Sequence, residues 1–356
     1  MNLYVNENIR NTERVFPQQG RYGFLRYDMN ENPEGLPKEF VDSVLAEITP
    51  EFLSVYPEPD RFIGKYAAYI GASPENIVTT NGSDMAIRYI FETFGEPGKE
   101  VLTVTPSFEM YRINCSLLGL KHRTVSYRED LTIDTGEILG AITEDTRIVV
   151  LLNPNNPIGN VYTEDELERI IAKARECGAV VLIDEAYHYF YPGTFLKYAL
   201  EEENVILLRT FSKLFSMAAL RLGVVITNPE LAHYIRNGRL TFDVNSAALL
   251  FAERILDNPE MIDRLIESEQ QGKAWILDEL SARGYEVRDC RGNYIFVRPK
   301  EADARTVVRR LEEEERLLVH GYGHPLLKEQ IRVSVGSEAA MKIFLDAFLR
   351  ADRPEA

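Results

Sequence analysis

The sequence predicts an α/β fold: a three-layer sandwich around a mostly parallel central sheet, with a smaller α+β unit toward the C-terminus. Continuous apolar runs recur through the first two thirds of the chain, and segments with helical spacing separate them. Such runs are typical of strands buried on both faces of a parallel sheet, because helices cover both faces. After Asn228 the pattern changes to a long helical stretch followed by short alternating strands.

Each element of the first part has a local signal. Apolar residues at helical spacing predict helices over residues 38–48, 61–70, 85–94, 107–118 and 163–177. Apolar runs predict strands over residues 77–80, 101–104, 148–152, 179–183 and 205–208. Thr163 and Glu166 form a capping box, and Pro57 and Pro59 hold the stretch before residue 61 extended.

The ends of the chain have a different organisation. Residues 1–29 lack periodicity and are predicted to form an arm that packs on another part of the molecule. Beyond a helical connector over residues 245–282, we expect strands over 285–288, 294–297 and 331–335 and helices over 302–314 and 338–350. We therefore expect a large domain over residues 30–245 and a small domain formed by residues 1–29 and 246–356.

The composition limits the location and the partners. The chain has 356 residues and a net charge of −16, which argues against nucleic acid or an anionic membrane as a partner. Three separated cysteines without metal-ligand spacing predict a reducing compartment and no metal site. Neither a membrane-spanning apolar stretch nor a secretory leader pattern is present, so we expect a cytoplasmic protein.

A lysine follows one of the predicted buried strands. The strand over residues 205–208 leads into a polar turn that contains Thr210, Ser212 and Lys213, and Arg221 follows eight positions later. A lysine at a strand end becomes a nucleophile where its neighbours lower its pKa, and the hydroxyls and the arginine form an anion pocket. A lysine that binds an aldehyde beside a phosphate cradle is what pyridoxal 5'-phosphate requires.

The other strand ends supply complementary groups. Asp184 follows a buried strand and can keep the pyridine nitrogen of that cofactor protonated, so that the ring withdraws electrons. Asn156 and Tyr187 can hydrogen-bond the ring hydroxyl, and Phe108 can stack on the ring. The turn Gly82–Ser83–Asp84 begins a helix whose free amides suit the phosphate, and Ser83 or Asp84 is predicted to cap that helix.

Each of these residues also has an ordinary structural interpretation. Lys213 could be a solvated surface residue, and Asp184 could be a helix N-cap. Asn156 could serve only its turn, while Tyr187 and Phe108 could be core aromatics. The joint order of the residues along the chain favours the cofactor site.

The motifs together resemble those of the fold-type I pyridoxal-phosphate enzymes, and within them the histidinol-phosphate aminotransferase-like group. The resemblance covers nearly the whole chain. It rests on residues 28–33 (DMNENP), 153–159 (NPNNPIG), 184–187 (DEAY), 212–213 (SK), 221–223 (RLG) and 331–336 (IRVSVG). It implies that Tyr56, in Tyr56–Pro57, reaches the cofactor phosphate of a neighbouring subunit in a homodimer. It also implies that Arg332 binds the substrate anion, with His320 and the N-terminal arm lining the pocket.

Two departures from that group bear on the substrate. The group usually has a Pro-Tyr near its start and a Val-Arg before the substrate arginine, whereas this chain has Phe16–Gly20 (FPQQG) and Val319–His320. A phosphate dianion favours two cations and several donors, whereas Arg332 alone fits one carboxylate bidentately. We therefore expect a carboxylate-bearing amino acid, rather than histidinol phosphate, to be the preferred substrate, unless Arg21 or Arg26 supplies a replacement.

The resemblance implies a homodimeric aminotransferase that moves an amino group between an amino acid and a 2-oxo acid. Lys213 would hold the cofactor covalently and, once freed, transfer the Cα proton as general base and acid. The alternatives are an amino-acid decarboxylase of the same fold, a ligand-sensing regulator, and a nucleotide-binding oxidoreductase. The regulator would need a basic DNA-binding module, and the oxidoreductase a Gly-x-Gly-x-x-Gly after a strand; neither is visible.

Overall fold

A computed structural model describes residues 3–14, 16 and 20–354. Its helices are α1 (Glu7–Arg10), α2 (Lys38–Leu45), α3 (Pro50–Ser54), α4 (Asp60–Ile70), α5 (Gly82–Phe94), α6 (Met110–Leu118), α7 (Thr135–Ala141), α8 (Glu164–Glu176), α9 (Leu196–Glu201), α10 (Pro229–Gly238), α11 (Ser246–Leu256), α12 (Pro259–Ala282), α13 (Ala304–Glu313) and α14 (Glu338–Ala351). Its strands are β1 (Leu25–Arg26), β2 (Ile77–Asn81), β3 (Glu100–Thr105), β4 (Lys121–Ser126), β5 (Thr146–Leu152), β6 (Val180–Asp184), β7 (Val205–Thr210), β8 (Leu222–Thr227), β9 (Glu286–Asp289), β10 (Tyr294–Arg298), β11 (Leu317–Leu318), β12 (His320–Gly321) and β13 (Ile331–Ser334). Across these residues, none of the helices combines the length and the apolarity that crossing a membrane requires.

A seven-stranded sheet forms the centre of the molecule, in the order β2-β8-β7-β6-β5-β3-β4. Strands β4, β3, β5, β6 and β7 pair in parallel, and β8 is antiparallel to both of its neighbours. Asp184, at the end of β6, lies between Leu152 of β5 and Leu208 of β7. The carboxyl ends of these parallel strands therefore meet at one edge, where ligands of such sheets bind.

The small antiparallel sheet has the order β12-β13-β10-β9. Its register aligns His320, Arg332, Phe296 and Arg288 in a single row across all four strands. Directly paired residues of neighbouring strands point to the same face, so these four side chains share one face of the small sheet.

Two hydrophobic cores hold these sheets. The first surrounds the central sheet, and α11 packs into it. The second lies between α12, α13, α14 and the other face of the small sheet. The N-terminal arm joins this second unit, because β1 pairs in parallel with β11 and the buried Tyr27 lies in the second core.

The predicted three-layer fold is confirmed, with local corrections. The helix predicted from residue 107 begins only at Met110, and the connector is divided between α11 and α12. Helix α5 begins at Gly82, so Ser83 and Asp84 lie inside its first turn and neither caps it; the N-cap is Asn81, without a side-chain hydrogen bond. Strands β4 and β8 were not predicted. The Thr163–Glu166 capping box of α8 is present as predicted.

Candidate active site

Lys213 lies at the carboxyl edge of the central sheet, in the turn after β7. Its Nζ donates a hydrogen bond to the backbone oxygen of Met29, at 2.8 Å. Burial and the nearby guanidinium of Arg332 lower the pKa of Lys213 to about 8. Thr210 Oγ1 accepts from the backbone N–H of Ser212 at 3.1 Å, which closes the turn. The amine is therefore available as a nucleophile and base much nearer to neutral pH than an ordinary lysine.

Asp184 ends β6 and is almost completely buried. Its Oδ2 accepts a hydrogen bond from the hydroxyl of Tyr111 at 2.8 Å, and its Oδ1 accepts from the backbone N–H of Ala186 at 3.0 Å. Burial raises the pKa of Asp184 to about 6. Among the described residues, the neighbours of this carboxylate are Tyr111, the Ala186 amide and the acidic Asp84 and Glu185, and none is a cation. A protonated ring nitrogen would supply the missing positive charge.

Tyr187 follows Asp184 by three positions, whereas Phe108 precedes α6 and reaches Asp184 through Tyr111. The hydroxyl of Tyr187 accepts a hydrogen bond from Asn30 Nδ2 at 3.0 Å, and burial raises its pKa to about 12. The ring of Phe108 meets that of Tyr111 edge-on, with centroids 5.8 Å apart. The Tyr111 hydroxyl in turn holds Asp184, so one aromatic pair links the predicted stacking residue to the carboxylate.

Residues predicted to hold the phosphate lie together where α5 begins beside β8. Gly82 has a φ of +78°, and an added Cβ there would collide with the guanidinium of Arg221. A Cβ at Gly223 would lie 2.7 Å from the carbonyl carbon of Gly82 and 2.8 Å from the amide nitrogen of Ser83. Arg221 Nη2 also donates to Asp84 Oδ2 at 3.2 Å. The two glycines thus allow a helix start and a guanidinium to converge, as anion binding requires.

Arg332 is buried on the small sheet and faces the asparagine loop, residues 153–159. Its Nη1 donates to Asn156 Oδ1 at 2.7 Å and to the Tyr322 hydroxyl at 2.9 Å, and its Nη2 donates to the Asp28 backbone oxygen at 2.6 Å. The buried Nε has no hydrogen-bond partner among the described residues. Of five N–H groups, two therefore remain for a ligand: Nε–H and the second Nη2–H.

His320 lies directly opposite Arg332 in the neighbouring strand, and its ring centroid is 4.5 Å from that of Tyr322. His320 is partly exposed, and desolvation of its ring together with the Arg332 guanidinium lowers its pKa below the ordinary value. The histidine is therefore neutral at physiological pH. The other departure from the family pattern is the stretch Phe16–Gly20. Within it, Gln18 and Gln19 lie outside the described residues.

The arginines of the N-terminal arm are engaged by carboxylates. Arg21 donates to Asp28 Oδ1 at 2.6 Å and to Glu31 Oε2 at 2.9 Å. Arg26 Nε lies 3.7 Å from the same Glu31 oxygen. Neither arginine supplies an unpaired cation to the pocket.

Tyr56 lies away from these groups, on the surface. Its side chain is 71% exposed and stacks on the ring of Phe242, with centroids 4.2 Å apart. The structure therefore does not bring Tyr56 together with the other predicted site residues within one chain.

Three site residues were missed by the sequence analysis: Asn30, Tyr111 and Tyr322. Tyr111 follows Phe108 by three positions, and Tyr322 follows His320 by two, so each lay within a motif already considered. Their roles as partners of Asp184 and Arg332 depend on contacts between distant segments, which residue spacing does not reveal.

These observations fit pyridoxal phosphate. At one sheet edge lie a lysine with a lowered pKa, a buried carboxylate with no cation beside it among the described residues, and two glycines that let Arg221 approach the start of α5. These are the groups that would hold the aldehyde carbon, the ring nitrogen and the phosphate of that cofactor.

Comparisons with known proteins agree with this geometry. The family model described as aminotransferase class I and II matches residues 28–348. A histidinol-phosphate aminotransferase from Clostridium novyi is 30% identical, over 91% of this chain and 90% of its own length. Histidinol-phosphate aminotransferase 1 from Burkholderia lata is 32% identical, over 90% of each chain.

Among solved structures, that of histidinol-phosphate aminotransferase from Sinorhizobium meliloti in complex with pyridoxal-5'-phosphate has the same fold. Its TM-score is 0.86 at 22% identity, covering 98% of this chain and 97% of that one. The family match and the curated relatives support transamination over decarboxylation as the reaction. The chain belongs to the class I and II aminotransferases and is a pyridoxal-phosphate-dependent enzyme of that family.

Proposed function

We propose that this aminotransferase takes its amino group from a carboxylate-bearing amino acid, whose carboxylate binds Arg332, and passes it to a 2-oxo acid. The main support is that, among the described residues, two N–H groups of Arg332 have no acceptor, and one of these is on the buried Nε. A buried donor without an acceptor is costly, so the site favours a ligand that supplies one.

Different residues would hold different parts of the cofactor. Lys213 would bind it covalently, and Asp184 would pair with its ring nitrogen. Asn156 and Tyr187 would contact the ring hydroxyl, and Phe108 the ring face. The phosphate would lie among Gly82, Ser83, Asp84, Thr210, Ser212 and Arg221. When bound, the cofactor supplies an electron-withdrawing ring that makes the substrate Cα–H acidic.

Lys213 is the residue that we propose to move the Cα proton. Its Nζ is held by Met29 O in the resting site, and its lowered pKa of about 8 leaves part of the amine unprotonated near neutral pH. A base with a pKa near the working pH combines availability with proton affinity.

The donor count at Arg332 suits one carboxylate. The Nε–H and the remaining Nη2–H belong to neighbouring nitrogens, and a carboxylate accepts two parallel hydrogen bonds from such a pair. Asn156 and Tyr322 fix the opposite side of the guanidinium through Nη1. The substrate carboxylate would thus bind a guanidinium that is already oriented.

A phosphate monoester finds less support in this pocket. The second arginine of the family pattern is replaced by His320, whose lowered pKa makes it neutral. Arg21, a possible replacement, is already paired with Asp28 and Glu31. Histidinol phosphate, which the names of the curated relatives indicate as their substrate, is therefore the second candidate.

We expect kcat/KM for the best carboxylate-bearing amino acid to exceed that for histidinol phosphate by at least about tenfold, with 2-oxoglutarate as acceptor. One lost charge-assisted hydrogen bond typically costs about 1.5–3 kcal/mol, which corresponds to roughly ten- to a hundredfold in affinity. Arg332→Lys retains the charge but loses the paired N–H groups, so it should remove most of the preference. A tenfold advantage for histidinol phosphate in the wild type would contradict the proposal.

We also propose a homodimer with shared active sites. Large side chains that are more than half exposed cluster around Tyr56, namely Leu53, Val55, Leu240 and Phe242. A groove of about 390 Å³, lined by residues 52–57 and 245–247, adjoins them. Contiguous exposed apolar surface of this kind is typical of an interface between subunits, and it would carry the Tyr56 hydroxyl toward the partner's cofactor phosphate.

Tyr56→Phe is therefore expected to weaken cofactor binding by roughly tenfold while leaving the Tm of the cofactor-free protein unchanged, since it removes one hydroxyl donor to an anion. Tyr234→Phe is the matched control, because Tyr234 is also exposed but lies outside this patch. Equilibrium titration with pyridoxal phosphate and sedimentation measure the two properties. A fully active monomer with bound cofactor would rule out the shared site.

A further inference from the structure

The asparagine loop, residues 153–159, is attached to the small sheet at several points besides Arg332. The hydroxyl of Tyr294 donates to the backbone oxygen of Asn155 at 2.7 Å. Gly159 has a φ of +86°, and a Cβ added there would lie 2.7 Å from the carbonyl carbon of Cys290. The loop backbone therefore lies in direct contact with the backbone of the segment that joins β9 to β10.

Arg288 makes a further contact with this loop. Its Nη1 donates to the backbone oxygen of Ile158 at 2.5 Å, two residues beyond Asn156. Arg288 and Arg332 belong to the same row of the small sheet, with Phe296 between them. The two guanidinium groups thus approach the same loop from the same face, at Ile158 and at Asn156.

Two aromatic rings connect Arg288 with the surroundings of Arg332. Its guanidinium carbon lies 4.5 Å from the centroid of the Phe296 ring, and the Phe296 ring lies 5.7 Å from that of Tyr322. Tyr322 accepts the hydrogen bond from Arg332. Arg288, Phe296 and Tyr322 therefore form a continuous layer that reaches the residue bound to Arg332.

The bond to Ile158 is the single side-chain hydrogen bond of Arg288 within the described part of the chain. Its Nε and Nη2 are buried and have no partner there. An undersatisfied buried guanidinium is costly, although its position over the Phe296 ring offsets part of the cost. Such a group in a native structure needs an explanation beyond stability.

We propose that Arg288 is a positioning residue: by holding the Ile158 carbonyl it fixes the asparagine loop, so that Asn156 Oδ1 orients Arg332 for the substrate carboxylate. The link runs from Arg288 through Ile158 and Asn156 to Arg332, and each contact in it is a hydrogen bond or a step of two residues along the loop. The consequence for the substrate rests on the proposed function, whereas the hold on the loop does not.

The first test measures the loop itself in the cofactor-free protein. Arg288→Met keeps an unbranched side chain over Phe296 but removes the donor, whereas Arg288→Lys keeps a cation that can reach the carbonyl. Arg298→Met is the matched control, since Arg298 is an exposed arginine of neighbouring β10. We expect amide hydrogen exchange in residues 155–160 to be about tenfold faster in Arg288→Met, and close to wild type in the other two variants.

The amides of Asn155 and Gly159 are the most informative reporters, because they donate to Asn160 O and Asn155 O within the loop. Unchanged exchange at both amides in Arg288→Met would overturn the proposal. Equal acceleration in β5 and β6 would also overturn it, because that result would mean that Arg288 only stabilises the whole fold.

The second test follows the substrate. Arg288→Met should raise KM for a carboxylate-bearing amino acid by about tenfold with a much smaller change in kcat, and Arg288→Lys should restore KM, because a loosened Arg332 weakens binding rather than the chemical step. If loop exchange is faster but KM is unchanged for both the carboxylate-bearing amino acid and histidinol phosphate, the link to Arg332 is overturned. Faster exchange with KM raised for histidinol phosphate instead would support the link and contradict the proposed substrate.

Discussion

Replacing Lys213 with alanine is expected to lower turnover by at least about 10⁴-fold, the upper end of what one acid–base group contributes. The substitution removes both the amine that would bind the cofactor and the base that would accept the Cα proton. Steady-state assay of the cofactor-saturated variant measures the loss. Because the pKa of Lys213 is lowered to about 8, attachment of the cofactor to the cofactor-free protein should also become faster as the pH approaches that value and the amine loses its proton.

Two controls make this result specific. Lys273→Ala removes another buried lysine, one on α12 that donates to the backbone oxygen of Gly292 between β9 and β10. Turnover of Lys213→Ala within about tenfold of the wild type would contradict the assignment. Addition of a small amine to Lys213→Ala should restore part of the activity, because a diffusible base can replace the missing proton acceptor.

Asp184→Asn is expected to reduce transamination by about 10²- to 10³-fold while some cofactor remains bound, which is the size of effect produced by removing one preorganised electrostatic contact. Asparagine keeps a similar shape beside Tyr111 and the Ala186 amide but loses the charge that would keep the ring nitrogen protonated. Single-turnover kinetics with a saturating amino donor measure the change. A rate within a few-fold of the wild type would count against Asp184 as the ring partner.

Unfolding of the cofactor-free Asp184→Asn protein provides the control for stability. Burial raises the pKa of Asp184 to about 6, so ionisation of this carboxylate destabilises the folded state. That destabilisation develops as the pH rises from the unfolded-state pKa and is complete above about 6. Asparagine does not ionise, so the variant should be at least as stable as the wild type near neutral pH. Lost activity with unchanged or higher Tm would then be a chemical effect.

The central sheet and the strand-end residues were predictable because each signal is local. An apolar run followed by a polar residue, as in the strand that ends at Asp184, determines both a buried strand and the side chain presented at its end. The same holds for the Thr163–Glu166 capping box, whose two partners are three residues apart. Predictions of this kind need no knowledge of the distant parts of the chain.

What sequence analysis did not provide depends on distant contacts. Strand β8 interrupts the parallel order and brings Gly223 against Gly82, which are far apart in the sequence. The pairing of Tyr111 with Asp184 and of Tyr322 with Arg332 likewise requires the folded arrangement. Ser83 or Asp84 was expected to cap the helix, but neither does, and Asp84 accepts from Arg221 because the fold places that guanidinium beside it.

Some expectations remain predictions. The division into a large domain over residues 30–245 and a small domain is one of them, and the role of Tyr56 across a dimer is another. The packing of the connecting helices bears on the division into domains. Helix α11 packs into the core of the central sheet, whereas α12 contributes to both cores.

The most direct test of the active-site account is borohydride reduction of the yellow, cofactor-bound enzyme, followed by peptide mass spectrometry. Reduction makes the covalent attachment of the cofactor permanent and marks the lysine that carries it. We expect a single modified peptide that contains Lys213. Modification of a peptide that lacks Lys213 would contradict it.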